Sequence, residues 1–242
     1  MAEKGVCPFS LFLFGASLVA VTAQMQRSGS KKKKLADVDL PSCTVIFVVG
    51  GPGTGKGTQC ELLVKRSKGQ WVHLSAGDLL RAERKLLTDG NNAGEDLELA
   101  RTIQGCIDAG KLVPSSITVK LLEKGMKQAY AQTGCTHFLL DGFPRGQDNI
   151  DAWDNQMTKH NVTKVLNFEC PEEVLVGRLL ERGKSSGRTD DNMDTIRKRF
   201  QTHVEACTPV LKRYGRDGIL HTISSDQTVD EVYAQAEKMV LS

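Results

Sequence analysis

The segment Thr44–Gln59, TVIFVVGGPGTGKGTQ, constrains the fold more than any other part of this chain. A continuous apolar, β-branched run that ends in glycines reads as a strand buried on both faces of a parallel sheet. Glycines at 50, 51, 53, 55 and 57 let the backbone turn its N–H groups inward around an anion. The next stretch, Lys56 to Lys68, carries apolar Cys60, Leu62, Leu63 and Val64 and reads as a helix whose positive end aims at the same point. From Gly50 to Gly55-Lys56 the spacing fits the phosphate-binding loop G-x-x-x-x-G-K-[ST], except that Gly57 replaces the final hydroxyl residue. A full spacing match between a buried strand and a helix argues for phosphate binding rather than a tight turn.

The rest of the chain alternates in the same way. Strands are expected at Gln70–Leu74, His137–Leu140 (closed by Asp141), Val165–Phe168 and Ile219–Ile223. Helices are expected at Asp78–Leu87, Glu95–Ala109, Ser115–Ala129, Asp191–Arg213 and Val229–Val240, with Pro171 at a further helix start. Five strands separated by helices imply an α/β fold, a doubly wound five-stranded parallel sheet of the P-loop NTPase type. Ligands of such sheets lie beyond the carboxyl ends of the strands, where the glycine loop falls.

Charge separates the chain into two parts. Residues 1–40 hold six Lys/Arg against three acids, so of 32 basic and 29 acidic residues the body, 41–242, keeps 26 of each sign. A body without basic excess argues against a nucleic-acid partner. The seven cysteines (7, 43, 60, 106, 135, 170, 207) are odd in number, scattered and free of any C-x-x-C pair, which fits a reducing compartment better than a disulfide or zinc framework.

Residues 1–40 read as an apolar leader and a basic linker. Phe9–Ala23 is apolar and uncharged but, at fifteen residues, short for a membrane span of roughly 20. Three readings stay open: a signal peptide with a small-residue site at Val21-Thr22-Ala23, a signal anchor, or a true start at Met25. Arg27 and Lys31–Lys34 follow the apolar run, which in the anchor reading keeps the body in the cytosol. The lysine run itself reads as a solvated linker, a nuclear signal or an anionic-lipid contact. A cytoplasmic location is the expectation, with the nucleus as a further option and membrane anchoring or targeting through residues 1–30 as the alternative.

Two further constellations carry chemistry. His137–Asp141, HFLLD, sets a carboxylate at the end of a buried strand, where P-loop proteins keep the acid that orients magnesium and its waters. Arginine recurs in glycine-bounded contexts: Arg81 in SAGDLLRAE, Arg145 in DGFPR, Arg182 and Arg188 in ERGKSSGRTDD, with Arg199 on the next helix. Two phosphorylated substrates facing each other bring together about six negative charges, which planar guanidinium forks suit.

GGPGTGKGTQC, SAGDLLRAE, GKLVP, DGFPR-x-QDN and ERGKSSGRTDDN, in this order, resemble the nucleoside monophosphate kinases of the adenylate kinase family, and within it the short-lid UMP-CMP kinase branch. The resemblance covers residues 43–242. It implies a small helical segment binding the monophosphate at about 75–114 and a short lid at about 182–192. It implies ATP on Gly53, Thr54, Gly55, Lys56, Gly57 and Thr58, with Arg182 over the nucleotide and Gln227 where backbone meets adenine. The acceptor is implied to be held by Arg81, by Lys111, Leu112 and Val113, by Gly142, Phe143, Pro144 and Arg145, and by Arg188 and Arg199, with Asn149 reading the base. Lys56, Arg145, Arg182, Arg188 and Arg199 are implied to act in the transfer itself, and Asp141 to meet Mg2+ indirectly, through water. In this family GKGT is the usual ending of the loop, with Gly57 letting it close on phosphate and Thr58 one place later. Two departures bear on acceptor preference: Gly146 stands where the branch commonly has Asn, and residues 86–98 form a longer segment than expected.

The implied activity is direct transfer of the ATP γ-phosphoryl group to CMP, UMP and dCMP in pyrimidine nucleotide biosynthesis, by a monomer that meets a membrane only if the leader is retained. The alternatives are an adenylate kinase acting on AMP and a non-catalytic, membrane-tethered nucleotide-binding protein. Ala76 and Gln147-Asp148-Asn149 favour the pyrimidine side, and the retained arginines oppose the non-catalytic reading.

Overall fold

The computed structural model of the protein describes residues 38–89, 95–186, 188 and 190–241. The expected leader up to residue 37, residues 90–94 of the long 86–98 segment, and Gly187 and Thr189 of the expected lid lie outside the described residues.

Five strands, β1 (Thr44–Gly50), β2 (Val72–Ser75), β3 (His137–Asp141), β4 (Asn161–Glu169) and β5 (Leu220–Ser224), form one parallel sheet in the order β2-β3-β1-β4-β5. Helices α1 (Lys56–Arg66), α2 (Ala76–Asp89), α3 (Glu95–Asp108), α4 (Ser115–Thr133), α5 (Gln147–Gln156), α6 (Glu172–Ser186), α7 (Met193–Arg216) and α8 (Val229–Val240) connect and cover it. The doubly wound α/β expectation holds. β1 is central, with Phe47 opposite Leu140 of β3 and Val165 of β4, so successive crossovers leave it in opposite directions. That reversal is the switch point above which ligands bind in open α/β sheets, and the glycine loop leaves β1 there.

The unbroken apolar run of β1 has a direct cause. Val45, Phe47 and Val49 face one core with Leu122 and Met126 of α4, Trp153 of α5 and Tyr214 of α7. Ile46 and Val48 face a second core with Cys60 and Leu63 of α1 and Tyr233 of α8. Phe47 meets Phe143, Trp153 and Tyr214 edge-on at 5.5, 5.1 and 5.9 Å. Two smaller clusters stand outside the sheet: Leu80, Ile103 and Val113 beneath α2 and α3, and Leu175, Leu179, Ile196 and Phe200 between α6 and α7. Each lets its helices pack as a unit beside the main cores.

The elements differ from expectation where polar sequence forms a helix. Gln147–Gln156, QDNIDAWDNQ, is helix α5 although its apolar anchors are few; Ile150 and Trp153, one turn apart, are its buried hydrophobes. Helix α6 extends to Ser186, so Arg182, Ser185 and Ser186 of the expected lid lie in its last turns. Helix α7 starts at Met193 rather than Asp191, because the Asn192 side chain accepts the Thr195 N–H at 3.0 Å and caps it. At α8 a capping box of Thr228 and Glu231 sets the expected start. Among the described residues no helix is long and apolar enough to cross a membrane.

Candidate active site

A cleft of about 620 Å³ opens above the carboxyl ends of the strands, with the glycine loop as its floor. Gly50 has φ +138°, and a Cβ there would lie 2.3 Å from the Phe168 carbonyl oxygen of β4, so this turn admits glycine alone. Gly57 is different: a Cβ there would meet nothing nearer than Asp141 Oδ2, at 3.7 Å, an ordinary contact. The loop conformation therefore does not demand glycine at 57; its missing side chain leaves open the space between α1 and the Asp141 carboxylate.

The loop closes on its own cation. Lys56 Nζ donates to the Gly50 and Gly51 carbonyls at 2.8 and 2.7 Å and to Thr54 Oγ1 at 3.1 Å, while the Thr54 hydroxyl donates to Gly51 O at 2.9 Å. Burial lowers the ammonium pKa to about 8; Asp141 opposes this, and Arg145 and Arg199 add to it. Asp141, buried at the end of β3, lies with Oδ2 3.5 Å from His73 Nε2 of β2. Burial pushes its carboxyl up, but the His73 ring, Lys56 and Arg145 outweigh that and hold it below the usual range.

The five arginines come from five places. Arg182 of α6 forks onto Asp191, with Nε and Nη2 each 2.7 Å from a carboxylate oxygen. Arg199 of α7 donates to the same carboxylate at 2.9 Å and pairs with Asp190 at 2.8 Å. Arg81 of α2 and Arg188, just beyond α6, share Asp78 Oδ1 at 2.6 and 3.3 Å. Arg145, between β3 and α5, donates from Nε to Gly142 O at 2.6 Å. Burial, with Arg199 close by, holds the Arg145 pKa below that of a free guanidinium, and burial with Arg81 and Arg182 does the same to Arg188. For Asp191 the burial penalty is outweighed by Arg182 and Arg199, and its pKa is lowered. These carboxylates bridge the guanidiniums in pairs, Arg81 with Arg188 and Arg182 with Arg199, and all five arginines line the cleft. Such an array fits several phosphate groups at once.

Of the residues expected at the site, Gly53–Thr58 form the floor, and Arg81, Leu112, Val113, Gly142, Pro144 and Asn149 line one end with Lys111. Gln227 lies at the other end, beside Val229 and Val232. Phe143 is a correction: its ring is fully buried in the core against Phe47, so it anchors the Gly142–Arg145 loop and presents no side chain to the cleft. Asn149 is buried, and both ends of its amide are already engaged, by the Arg145 N–H at 2.9 Å and by Ser115 Oγ at 2.6 Å.

Sequence reasoning missed several groups in the cleft. His203 of α7 packs against Gly51, its ring carbon 3.6 Å from where a Cβ would stand, and burial with Lys56 and Arg145 lowers its pKa to about 4. Arg178 of α6 donates two bonds, both of 3.1 Å, to the Ser225 carbonyl at the Gln227 end. Asp190 and Asp191 were visible in GRTDD but not as the partners of Arg182 and Arg199, because pairing across nine residues and between two helices leaves no local signature.

The family model described as adenylate kinase matches residues 48–219. The chain is 44% identical over 198 residues to a UMP-CMP kinase of Danio rerio, covering 81% of this chain and 96% of that protein. It is likewise 44% identical to UMP-CMP kinases of Gallus gallus and Mus musculus, covering 81% of this chain and 94% and 95% of theirs.

Proposed function

The chain belongs to the adenylate kinase family and is an ATP-dependent nucleoside monophosphate kinase, and from that premise we propose that its acceptors are CMP and UMP, with dCMP accepted as well. The observation that carries this reading is the convergence of Arg81, Arg145, Arg182, Arg188 and Arg199 on a cleft floored by the glycine loop. Identity to UMP-CMP kinases supports the pyrimidine preference.

An ionised oxygen of the acceptor phosphate attacks the γ-phosphorus in line as the bond to the β–γ bridging oxygen breaks, and the electron pair leaves on ADP. No side chain needs to act as nucleophile or base, because the attacking oxygen carries no proton. What the protein supplies is position and charge. Loop N–H groups and Lys56 hold the donor phosphates once the ammonium turns from its own carbonyls to the ligand. Arg81 and Arg145 hold the acceptor phosphate, and Arg182, Arg188 and Arg199 surround the group in transfer. Asn149 reads the base between Leu112 and Val113, and Gln227 lies at the adenine end.

The donor set suits Mg2+ carried in by the nucleotide. Among the described residues no group of three or more His, Cys, Asp or Glu side chains could cage an ion. Asp141 and the Thr58 hydroxyl offer one carboxylate and one neutral oxygen beside the loop, which matches a cation that keeps several waters and rests mainly on phosphate oxygens. When bound, the ion would neutralise charge on the β- and γ-phosphates. Every group named comes from one copy of the chain, so the monomer is taken as the working unit.

A steady-state assay of ATP-Mg with CMP, UMP, dCMP and AMP tests the proposal. The expected order places CMP and UMP first in kcat/KM. Preference for AMP overturns the acceptor assignment, and ATP hydrolysis without phosphoryl transfer to any of the four overturns the kinase reading.

A further inference from the structure

Asn149 has two N–H donors and two lone pairs to place, and the structure fixes which faces which. The carboxylate of Asp148 can only accept, so Ser115 donates its hydroxyl proton to Asp148 Oδ2, at 2.5 Å. The same hydroxyl oxygen then accepts from Asn149 Nδ2, at 2.6 Å. That turns Asn149 Oδ1 toward the Arg145 N–H, which it accepts at 2.9 Å. A flipped amide would set its oxygen against the hydroxyl's lone pair and its NH2 against a peptide N–H, two repulsive contacts in place of two bonds. Asp148–Ser115–Asn149–Arg145 is thus a polarised chain with one direction, and such chains reinforce themselves.

Gly146 belongs to the same arrangement. Its backbone is extended, so strain does not select glycine there. A Cβ at 146 would instead stand 2.9 Å from Asp148 Oδ1, displacing the carboxylate that orients Ser115. One N–H and one lone pair of Asn149 remain, at the end of the cleft lined by Leu112, Val113 and Thr118.

We propose that Ser115 and Asp148 are positioning residues of the acceptor site: they hold the Asn149 amide toward the acceptor base in a single orientation and tie it to the backbone of Arg145, with Gly146 leaving room for the carboxylate. The inference rests on the reading that the acceptor lies at this end of the cleft. Cytosine presents a bare ring nitrogen beside an amino group, whereas uracil presents a ring N–H beside a carbonyl. A fixed amide discriminates between those patterns, while a rotating amide accommodates both.

The test compares kcat and KM for CMP and UMP in the wild type, Ser115→Ala, Ser115→Thr, Asp148→Ala, Gly146→Ala and the Ser115→Ala/Gly146→Ala double variant, with a thermal melt of each. Ser115→Ala is expected to lower kcat/KM for the better acceptor about tenfold, the size of one buried hydrogen bond to a polar partner, and to move the CMP-to-UMP ratio toward one. Ser115→Thr keeps the hydroxyl and restores the ratio. Asp148→Ala, at an exposed residue, and Gly146→Ala move the ratio the same way by less, and the double variant moves it no further than Ser115→Ala alone. A wild-type ratio of one overturns the inference. So does a wild-type-like ratio in Ser115→Ala, a failure of Ser115→Thr to restore it, or additive effects in the double variant. A wild type that prefers AMP overturns the acceptor reading instead, and unchanged ratios beside high CMP or UMP turnover overturn only the positioning roles.

Discussion

The two halves of the cleft are built by different means. The half proposed to take ATP is nearly all backbone, a contiguous loop between β1 and α1 whose one cation, Lys56, is spent on the carbonyls of Gly50 and Gly51. The half proposed to take the acceptor is built from side chains, an array of guanidiniums drawn from separate elements and bridged by Asp78, Asp190 and Asp191. The backbone half holds a single positive charge on neutral oxygens and needs its lysine to let go when phosphate arrives. The arginine half gathers like charge in a partly desolvated cleft: burial first, and the neighbouring guanidiniums second, lower the pKa values of Arg145 and Arg188, and polyanionic ligands would offset both. Charge waiting for charge is what stabilises a phosphoryl group in flight.

The largest expected effect tests the array directly. Arg145→Ala and Arg188→Ala should each lower kcat by a factor of about 10²–10³, as loss of one preorganised charge donor does, with ATP affinity changed far less. Binding titrations beside turnover make the distinction. Turnover within a few-fold of wild type in either variant would show that the arginine half is not where transfer is stabilised. Next comes the support of the array. The Asp191 side chain is fully buried and takes bonds from both Arg182 and Arg199, so Asp191→Asn leaves Arg182 facing a neutral partner and Arg199 with the Asp190 carboxylate alone. Breaking a buried pair costs about 3–5 kcal/mol, and a loss of that size in denaturant titrations, with kcat reduced at least about tenfold, is the expected outcome.

The same contrast explains what the sequence could reveal. The loop is local: its glycines, lysine and flanking strand occupy sixteen consecutive residues, and their spacing announces both fold and ligand class. Arg81, Arg145, Arg182, Arg188 and Arg199 were recognisable because each sits in a motif of its own. What holds them was not, because Asp78 to Arg188 spans 110 residues and Ser115 to Asn149 spans 34. Helix α5 escaped notice for a related reason, since its burial rests on Ile150 and Trp153, and of its polar residues only Asn149 is buried while the others face solvent. Phe143 shows the reverse error: a motif identified the loop, but strand pairing of Val48 with Phe143 turned the ring into the core. Gly57, conspicuous in sequence, proves sterically undemanding, whereas Gly50 is obligatory.

A smaller effect separates the halves by pH. Lys56 in the free protein loses its proton as pH rises through about 8. ATP is already fully ionised there and favours the charged amine, so binding above that point must take up a proton. The affinity for ATP should therefore be flat below about pH 8 and fall above it, by up to about tenfold per pH unit. A guanidinium side chain stays charged in proteins, so acceptor affinity should show no matching break. Calorimetry of each ligand alone between pH 7 and 9.5 reads both, and parallel declines would erase the proposed difference between the halves.

The smallest effect reverses the sign of an identical substitution. Asp78, unlike Asp191, is a half-exposed carboxylate, 42% exposed at its side chain, and it occupies Arg81 and Arg188 at once. Exposed pairs of this kind contribute at most about 1 kcal/mol, so removing the charge costs little stability. What it does remove is a competitor, because the proposed roles give Arg81 to the acceptor phosphate and Arg188 to the group in transfer beside it. The Arg81 and Arg188 charges, together with Ser75, outweigh the burial penalty on Asp78 and lower its pKa, so at neutral pH the competitor is always ionised. Asp78→Asn should therefore lower the acceptor KM by about two- to fivefold, within what one exposed pair can supply, leaving ATP affinity and denaturant stability near wild type. Asp191→Asn, the same chemical change a short way along the array, should do the opposite in every readout. If both variants lose acceptor affinity and stability together, Asp78 is a support like Asp191, and the arginine half is held by one kind of carboxylate rather than two.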